Sequence, residues 1–276
     1  GLVDGVPTSI KDLLLAKGMP TLRGSLSVDH EQSWSEDSPA AARLREHGAV
    51  ILGKTTTPEF GHKGVTDSPL SGITRNPWDT DKTPGGSSGG AAAAVAAGMG
   101  PLAVGTDGGG SIRIPSSFSG IFGIKATFGR VPFYPGTPNS SVSHVGPMTR
   151  TVADAALMLT VLSEPDWRDW YALPYDGTDY RANLEEPLSG VRVAYSPTLG
   201  MGDVAIDAEV RASVCAAAKT FEDMGATVEE PNPFWPHEPG EVFGVHWAMG
   251  AAALVASMPA EKQVLLEESL LRSAEI

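Results

Sequence analysis

One segment constrains this chain more than any other: residues 83–115, which read TPGGSSGGAAAAVAAGMGPLAVGTDGGGSIRIP. The segment holds two glycine-rich loops that carry serines, GGSSGG at 85–90 and TDGGGS at 106–111. Glycines beside a hydroxyl group allow backbone conformations that other residues disfavour, so a ligand can approach main-chain N–H groups closely. Clustered N–H groups of this kind bind negative charge, including the charge that develops on a reacting carbonyl oxygen.

The elements inside this segment follow the order loop, helix, strand, loop. Residues 91–97 are strong helix formers followed by glycine, which predicts that the first serine pair lies at a helix N-terminus. The apolar residues 101–105 predict a short buried strand that runs into the second loop. A helix and a strand of this length can fold back on each other, which would bring Ser87 or Ser88 near Ser111.

Helices and strands alternate elsewhere in the chain. Ser38 followed by proline is an N-cap signal, and it predicts a helix that ends before a buried strand at 49–52. The same plan recurs as a helix at 207–224, a glycine and a strand at 226–229, and a further helix is predicted at 241–258. This alternation predicts an α/β architecture with a largely parallel core sheet.

The two serine loops, in this order and at this spacing, resemble the defining segment of the amidase signature hydrolases. Further segments on both sides resemble that family: the lysine motif GVPTSIKD at 5–12 with KGMPT at 17–21, GAVILGKT at 48–55, PEFG at 58–61, TRNPWD at 74–79, GIFGIKAT at 120–127 and GPMTRTVAD at 146–154. Several ordered motifs are more specific than any one of them. The resemblance is dense over residues 5–165 and looser beyond. It implies the amidase signature fold, an α/β fold whose largely parallel or mixed central sheet is flanked by helices on both faces.

The resemblance also implies a function, the hydrolysis of the C–N bond of a linear carboxylic acid amide through an acyl-enzyme. Residue by residue, it makes Ser111 the nucleophile, Ser87 a bridging hydroxyl and Lys11 the base. It implies that the peptide bond between Gly86 and Ser87 is cis. The oxyanion of the tetrahedral intermediate would be held by backbone N–H groups of the second loop, those of Gly108, Gly109, Gly110 and Ser111.

These roles agree with elementary chemistry. A serine hydroxyl is a weak nucleophile at neutral pH and needs a base. No motif places a histidine to serve as that base. A lysine serves only when it is neutral, and the apolar neighbours Val6, Ile10 and Leu13 favour a neutral Lys11 by removing it from water.

Five other residues of the matching segments are expected to have a structural role or have no assigned role. Asp107 and Arg113 are expected to brace the second loop rather than contact substrate. For each of Glu59, Arg75 and Trp78, the sequence favours a place in the scaffold and a place in the cleft equally. These three residues are therefore left outside the predicted site.

Three other functions fit parts of the sequence. GSSGG at 86–90 matches the G-x-S-x-G elbow of an α/β-hydrolase esterase with Ser88 as nucleophile, but the polar residues 76–84 before it do not form the required strand. A glycine loop at a helix start also suits a non-catalytic nucleotide-binding module, but no G-K-[S/T] follows. Within the amidase signature family, the A subunit of the tRNA-dependent amidotransferase stays an alternative, although GGGSIRIPSSFSG and the loop 134–139 resemble the stand-alone enzymes more closely.

The composition of the 276-residue chain narrows its partners. The formal net charge of −13 argues against nucleic acid, since binding to a phosphate backbone normally needs a basic patch. Apolar runs are too short to predict a membrane-spanning helix. The lone Cys215 is expected to pack in the core, and the six histidines show no metal-ligand spacing, so no metal and no cofactor are expected. We expect a cytoplasmic enzyme that acts on a small-molecule amide, alone or as a homo-oligomer.

The expected organisation is a single amidase domain over residues 1–276. Residues 1–165 would form the catalytic core around the segment 83–115, and residues 166–276 would begin the substrate-side C-terminal part. The chain begins without methionine and stops within a helical pattern, whereas members of the resembled family extend further at both ends. We therefore expect a fragment that lacks both ends.

Overall fold

The computed structural model describes residues 1–202, 204–231, 235 and 239–275. The chain divides into two compact units. The first combines Gly1–Ala182 with His246–Ile276, and the second spans Asn183–Val245. The predicted single amidase domain and its functional division after residue 165 stay predictions.

Helices and strands alternate over much of the described chain, as the sequence predicts, and three helices follow one another at its end. The strands are β1 (Pro7–Lys11), β2 (Val50–Thr55), β3 (Asp67–Ser68), β4 (Gly72–Ile73), β5 (Leu102–Asp107), β6 (Phe122–Gly123), β7 (His144–Thr149), β8 (Arg192–Ala194) and β9 (Thr227–Glu229). The helices are α1 (Pro39–Glu46), α2 (Gly89–Ala96), α3 (Arg113–Ser119), α4 (Val152–Leu162), α5 (Ala208–Asp223), α6 (Pro239–Ala256), α7 (Ala260–Gln263) and α8 (Glu268–Ala274). Short 3-10 turns lie at Glu59–Gly61 and Ser140–Val142.

A mixed five-stranded sheet is the centre of the first unit, with the strand order β2-β1-β5-β7-β6. β1 runs parallel to both β2 and β5, whereas β7 runs antiparallel to β5 and β6. In the β1–β5 pair, Ile10 lies opposite Val104. The carboxyl ends of these two neighbouring strands therefore lie at the same edge of the sheet, and they carry Lys11 and Asp107.

Helices cover both faces of this sheet. On β5, Leu102 and Val104 belong to one buried apolar cluster, and Ala103 belongs to another. Alternate residues of a strand point to opposite faces, so the two clusters lie on opposite sides of the sheet. The first cluster takes its helical members from α1 and α4, and the second from α2. The predicted α/β fold with a mixed central sheet flanked by helices on both faces is confirmed.

Side-chain caps start two of these helices. Ser38 Oγ accepts a hydrogen bond from the N–H of Ala41, and a proline occupies the first turn of α1. Thr151 Oγ1 accepts one from the N–H of Asp154 at the start of α4. The predicted start of α1 is thus confirmed.

The strand predicted at 49–52 is found as β2, but the prediction that it is buried is wrong. Val50 is 49% exposed and Leu52 is 54% exposed. β2 lies at the edge of the described sheet, so the side chains on one of its faces are left uncovered, while Ile51 packs against the core on the other.

The expected burial of Cys215 is also wrong, because this residue is exposed. Cys215 belongs to α5 in the second unit, where β8 and β9 pair in parallel as a two-stranded sheet. A sheet of this size covers little of a sixteen-residue helix, and none of the residues of α5 is buried.

The described residues contain no helix that is long and apolar enough to cross a membrane. The same part of the chain contains no group of three or more His, Cys, Asp or Glu side chains that could hold a metal ion. The expectation that the protein uses neither a metal nor a cofactor stays a prediction.

Gly90 offers a test of the packing between α2 and the chain that follows β2. A Cβ atom at Gly90 would collide with the backbone nitrogen and Oγ1 of Thr56 and would lie 2.7 Å from its carbonyl oxygen. Helix propensity alone predicts that Gly90→Ala stabilises the protein by about 1 kcal/mol. We expect instead a loss of about 1–3 kcal/mol in the free energy of unfolding, the usual cost of overpacking, in urea denaturation followed by circular dichroism.

Gly244→Ala is the matched control. Gly244 also lies within a helix, α6, and a Cβ atom there would meet nothing within 4 Å. This variant should be as stable as the wild type or more stable. If Gly90→Ala matches it, the contact with Thr56 relaxes without cost and the packing interpretation is wrong.

Candidate active site

Lys11 ends β1, and its side chain is fully buried. Its Nζ atom donates hydrogen bonds to Ser87 Oγ at 2.7 Å and to Thr106 Oγ1 at 2.9 Å. Burial lowers the pKa of Lys11 well below its usual value, and the negative charge of Asp107 opposes this shift only in part. The neutral amine is therefore favoured where it contacts a serine hydroxyl.

Ser87 lies in the first glycine-rich loop, just before α2, and is almost completely buried. The peptide bond between Gly86 and Ser87 is cis, as the resemblance implies. A Cβ atom at Gly61 would lie 2.7 Å from Leu13 Cδ1 and 3.2 Å from Ser87 Oγ. Gly61 also has a φ of 73°, in the left-handed region that favours glycine. A glycine at this position leaves room for the Ser87 hydroxyl.

A backbone hydrogen bond joins the two serine loops, in which the N–H of Ser88 donates to the carbonyl of Ser111 at 3.1 Å. The predicted meeting of the loops at one end of the helix and strand is confirmed. Ser88 Oγ donates to the carbonyl of Thr106 at 3.1 Å and accepts from its N–H at 3.3 Å. The Ser88 hydroxyl is thus bound to the backbone of β5.

Asp107 organises the second loop from the end of β5. Its carboxylate accepts hydrogen bonds from the backbone N–H groups of Gly110 at 2.7 Å and Ile112 at 3.1 Å. Arg113 adds a bidentate contact, at 3.0 Å from Nε and 2.8 Å from Nη2. Burial alone would raise the pKa of Asp107, but the hydrogen bonds from Arg113 and from these amides outweigh it and lower the pKa to about 2. Asp107 and Arg113 brace the loop, as predicted. Asp107 also lines the cavity described below, so the expectation that neither residue contacts substrate stays a prediction.

Ser111 follows three glycines and leads into α3. The residue is 8% exposed, enough for its surface to be reached from a cavity. The N–H of Gly110 already has Asp107 as its acceptor, which leaves the amides of Gly108, Gly109 and Ser111 as the other predicted oxyanion donors.

Ser87 and Ser111 line one cavity, which we call the serine cavity, together with Thr106 and Gly108. Apolar side chains form much of its wall: Leu13, Leu14, Phe60, Phe133, Leu254 and Leu270. Trp247 also lines it, and its indole N–H donates to the carbonyl of His62 at 3.0 Å. Apolar walls around a few convergent polar groups are typical of sites for small molecules.

Three residues of this cavity carry no signal that singles them out in the sequence. Thr106 holds Lys11, and only its place within the motif GTDGGGS points to it. Asn139 lies in the loop that resembles the stand-alone enzymes, and its Oδ1 is buried without a hydrogen-bond partner among the described residues. Arg23 lines the cavity and belongs to no recognised motif.

The three undecided residues lie in the scaffold. Glu59 is fully buried and accepts hydrogen bonds from Ser25 Oγ and from the N–H of Glu267, each at 2.6 Å. Arg75 and Trp78 each donate to a backbone carbonyl. None of these three is among the residues that line the serine cavity.

Comparison with known proteins identifies the class. The sequence model of the family described as Amidase matches residues 1–270. This match covers nearly the whole chain, and the chain belongs to the amidase signature family.

Two curated relatives illustrate the range of that family. An acylamidase of Rhodococcus erythropolis is 43% identical over 260 residues, which cover 92% of this chain and 53% of the relative. The A subunit of the glutamyl-tRNA(Gln) amidotransferase of Syntrophobacter fumaroxidans is 40% identical over 258 residues, which cover 93% of this chain and 50% of the relative. The chain therefore spans about half the length of these relatives.

Solved structures give the same class. A bacterial aryl acylamidase of the amidase signature enzymes has a TM-score of 0.89 and 33% identity, over 100% of this chain and 60% of that chain. The 6-aminohexanoate cyclic dimer hydrolase has a TM-score of 0.87 and 29% identity, over 99% and 61%. Because the second name is that of a cyclic-dimer hydrolase, the preference of this chain for linear amides stays a prediction.

Asp107→Asn tests how the second loop is held. The change removes the charge opposite Arg113 and one of the two oxygens that accept hydrogen bonds. We expect a loss of about 2–4 kcal/mol in the free energy of unfolding at neutral pH, measured by urea denaturation. The lowered pKa means that Asp107 stabilises the fold at pH values above the unfolded carboxyl pKa, and that this stabilisation is lost as the pH falls toward about 2.

The stability difference between wild type and Asp107→Asn should therefore be constant near neutral pH and shrink below about pH 4. Asp81→Asn, which changes an exposed carboxylate outside the cavity, is the control. A difference that does not change over the acid range would show that the lost charge is not the cause.

Proposed function

We propose that this chain carries the catalytic centre of an amidase that hydrolyses the C–N bond of a small-molecule amide through an acyl-enzyme on Ser111. The observation that carries the proposal is the 2.7 Å hydrogen bond between Lys11 Nζ and Ser87 Oγ at the cavity that Ser111 also lines. A serine needs a base to become a nucleophile, and a lysine kept neutral by burial can be that base.

The reaction begins when Ser111 Oγ attacks the amide carbonyl carbon. The Ser111 proton passes to Ser87 Oγ while the Ser87 proton passes to neutral Lys11. The C–N bond then breaks, and the leaving amine takes a proton back along the same path, which restores neutral Lys11. A water molecule then attacks the acyl carbon while one of its protons passes through Ser87 Oγ to neutral Lys11. The bond between the acyl carbon and Ser111 Oγ breaks, that proton returns through Ser87 to Ser111 Oγ, and the carboxylic acid is released. Thr106 holds the Lys11 amine in place for both halves.

The negative charge of the tetrahedral intermediate falls to the second loop. Backbone amides act as oxyanion donors when they point at the developing charge and have no other acceptor. We assign this role to the amides of Gly108, Gly109 and Ser111. The amide of Gly110, predicted with them, is bound to the Asp107 carboxylate and supports the loop instead.

The rival functions find less support. In the esterase hypothesis Ser88 attacks, but its hydroxyl is fully buried and bonded to the backbone of Thr106. The nucleotide-module hypothesis leaves the buried contact between Lys11 and Ser87 without a purpose. A role as the A subunit of an amidotransferase is the second candidate, because relatives of that name are about as similar to this chain as the acylamidase. Ammonia release from glutamine, compared with a panel of simple amides, separates these two candidates.

We assign the protein a small-molecule amide as substrate, no cofactor and a cytoplasmic location, and a homo-oligomer is compatible with this assignment. The formal net charge of −13 supports a partner other than nucleic acid.

The nucleophile can be identified by chemical labelling. A fluorophosphonate should form a covalent bond with Ser111, because the hydroxyl is activated and the adjacent amides stabilise the negative charge on the probe. Peptide mass mapping should find the label on Ser111, and Ser111→Ala should lose it. A label on Ser88 in the wild type would support the esterase hypothesis instead.

The role of Lys11 as the base can be tested with substitutions that change its ability to accept a proton. Lys11→Met, which keeps the length of the buried chain, should lower kcat/KM for amide hydrolysis by about 10²–10⁴-fold. Lys11→Arg should not restore activity, since a guanidinium keeps its proton. In the wild type, activity should rise as the pH passes upward through the lowered pKa of Lys11, because only the unprotonated amine accepts a proton.

Lys82→Met is the control for the loss of a lysine, since Lys82 is exposed and lies outside the cavity. Circular dichroism should show that each variant is folded. If folded Lys11→Met hydrolyses amides at the rate of Lys82→Met, the lysine is structural and the proposed base is wrong.

A further inference from the structure

Arg23 stands at one end of the serine cavity. It lines this cavity together with Ser87 and Ser111, and it also lines a neighbouring cavity that shares Phe60 and Leu254 with the first. Its side chain is half-buried. Arg23 therefore brings a charged residue to the wall of the space that a substrate would occupy.

Among the residues that the structure describes, none accepts a hydrogen bond from the guanidinium of Arg23. Within the part of the chain that the structure describes, it takes part in no side-chain hydrogen bond and no ion pair. The acid that acts on its charge is Asp12, which forms an ion pair with Lys54 at 3.4 Å and accepts a hydrogen bond from the N–H of Leu22 at 3.2 Å. Burial lowers the pKa of Arg23, and the charge of Asp12 opposes this shift.

Arg113 and Arg168 show the contrast. Arg113 contacts Asp107 and Arg168 contacts Asp166, each through two nitrogen atoms. A partly desolvated charge without such a partner is unfavourable until an anion meets it.

The backbone of Arg23 gives independent support. Its φ of 56° lies in the left-handed region, which a residue other than glycine seldom adopts. Two hydrogen bonds hold it there, from its own N–H to the carbonyl of Asp12 at 3.1 Å and from the N–H of Phe60 to its carbonyl at 2.8 Å. Non-glycine residues held in this conformation cluster at sites that clamp ligands.

We propose that Arg23 binds a carboxylate carried by the substrate, so that the enzyme prefers monoamides of dicarboxylic acids. The amide would lie at Ser111 and the carboxylate at Arg23, with an apolar linker against Phe60 and Leu254. A guanidinium binds a carboxylate through two parallel hydrogen bonds, which gives both affinity and orientation. This inference rests on the proposed amidase function and names its substrate class.

The kinetic test uses pairs of substrates. Monoamides of unbranched dicarboxylic acids are each compared with the neutral unbranched carboxamide of the same chain length. At one chain length or more, wild-type kcat/KM should favour the monoamide by at least about tenfold. Arg23→Asn, which keeps a residue that tolerates the left-handed backbone, should lower this preference by about 10–100-fold, chiefly through KM. Arg23→Lys should keep part of it, and Arg150→Asn, an exposed arginine outside the cavity, should keep all of it.

A binding test separates this inference from the proposed function. Calorimetry with Ser111→Ala measures the affinity for the same amides without hydrolysis, and the double variant with Arg23→Asn should lose the preference for monoamides. If the monoamides bind through Arg23 but the wild type hydrolyses no amide, the proposed function fails and the inference stands. If the wild type hydrolyses amides but the monoamide and the neutral amide of each pair bind equally, the role of Arg23 is wrong. The role is also wrong if Arg23→Asn changes neither the kcat/KM preference nor the binding preference for the monoamide. Failure of every monoamide to bind also overturns it.

Discussion

The burial of one lysine at the end of a central strand is the constraint on which the rest of this structure depends. Lys11 lies on β1, between β2 and β5, and an amine at this depth needs partners that compensate for lost water. Ser87 and Thr106 supply them from two different segments. The parallel pairing of β1 with β5 brings Thr106 within reach, and the glycine-rich loop before α2 brings Ser87. The strand order of the sheet, the position of α2 and the glycine-rich loop together determine the hydrogen bonds of Lys11 Nζ.

Lys11 and Asp107 are ionisable groups at this edge of the sheet, and their surroundings favour the neutral form of the lysine and the charged form of the aspartate. The hydrogen-bond partners that the described residues offer Lys11 are the hydroxyls of Ser87 and Thr106, and burial favours its neutral form. Asp107, next to it on the neighbouring strand, has a guanidinium and several amides as partners, so its charge is retained. Separation of this kind is common where one group must exchange protons and another must keep the backbone in place. Lys54, a partly buried lysine, has a carboxylate partner in Asp12. Burial lowers the pKa of Lys54 to about 8, and the charge of Asp12 opposes this shift.

The sequence predicts the fold and the two serine loops because the signals for them are local. Glycines beside serines, an alanine-rich helix and a short apolar strand occur within one segment, and their order alone brings the loops together. The contact of Lys11 with Thr106 depends on strand pairing, which no single segment encodes. The backbone conformation of Arg23 depends on its hydrogen bond to the carbonyl of Asp12 and on one from the N–H of Phe60, and neither residue is its neighbour in sequence. The expectation that Cys215 and Val50 are buried is wrong for one reason. An apolar pattern shows which face of an element is suited to burial, but it does not show whether another element covers that face.

The hydrogen bond from Ser88 to Ser111 has a mechanical consequence. It ties Ser88, which directly precedes α2, to Ser111, which lies two positions before α3, across 23 positions of chain. A shift of α2 along its axis would pull on the backbone of Ser111 directly, with no intervening side chain to absorb the strain. Residues of α2 that face away from the cavity can therefore alter the position of the Ser111 hydroxyl, because the position of α2 is coupled to the Ser111 backbone through this hydrogen bond.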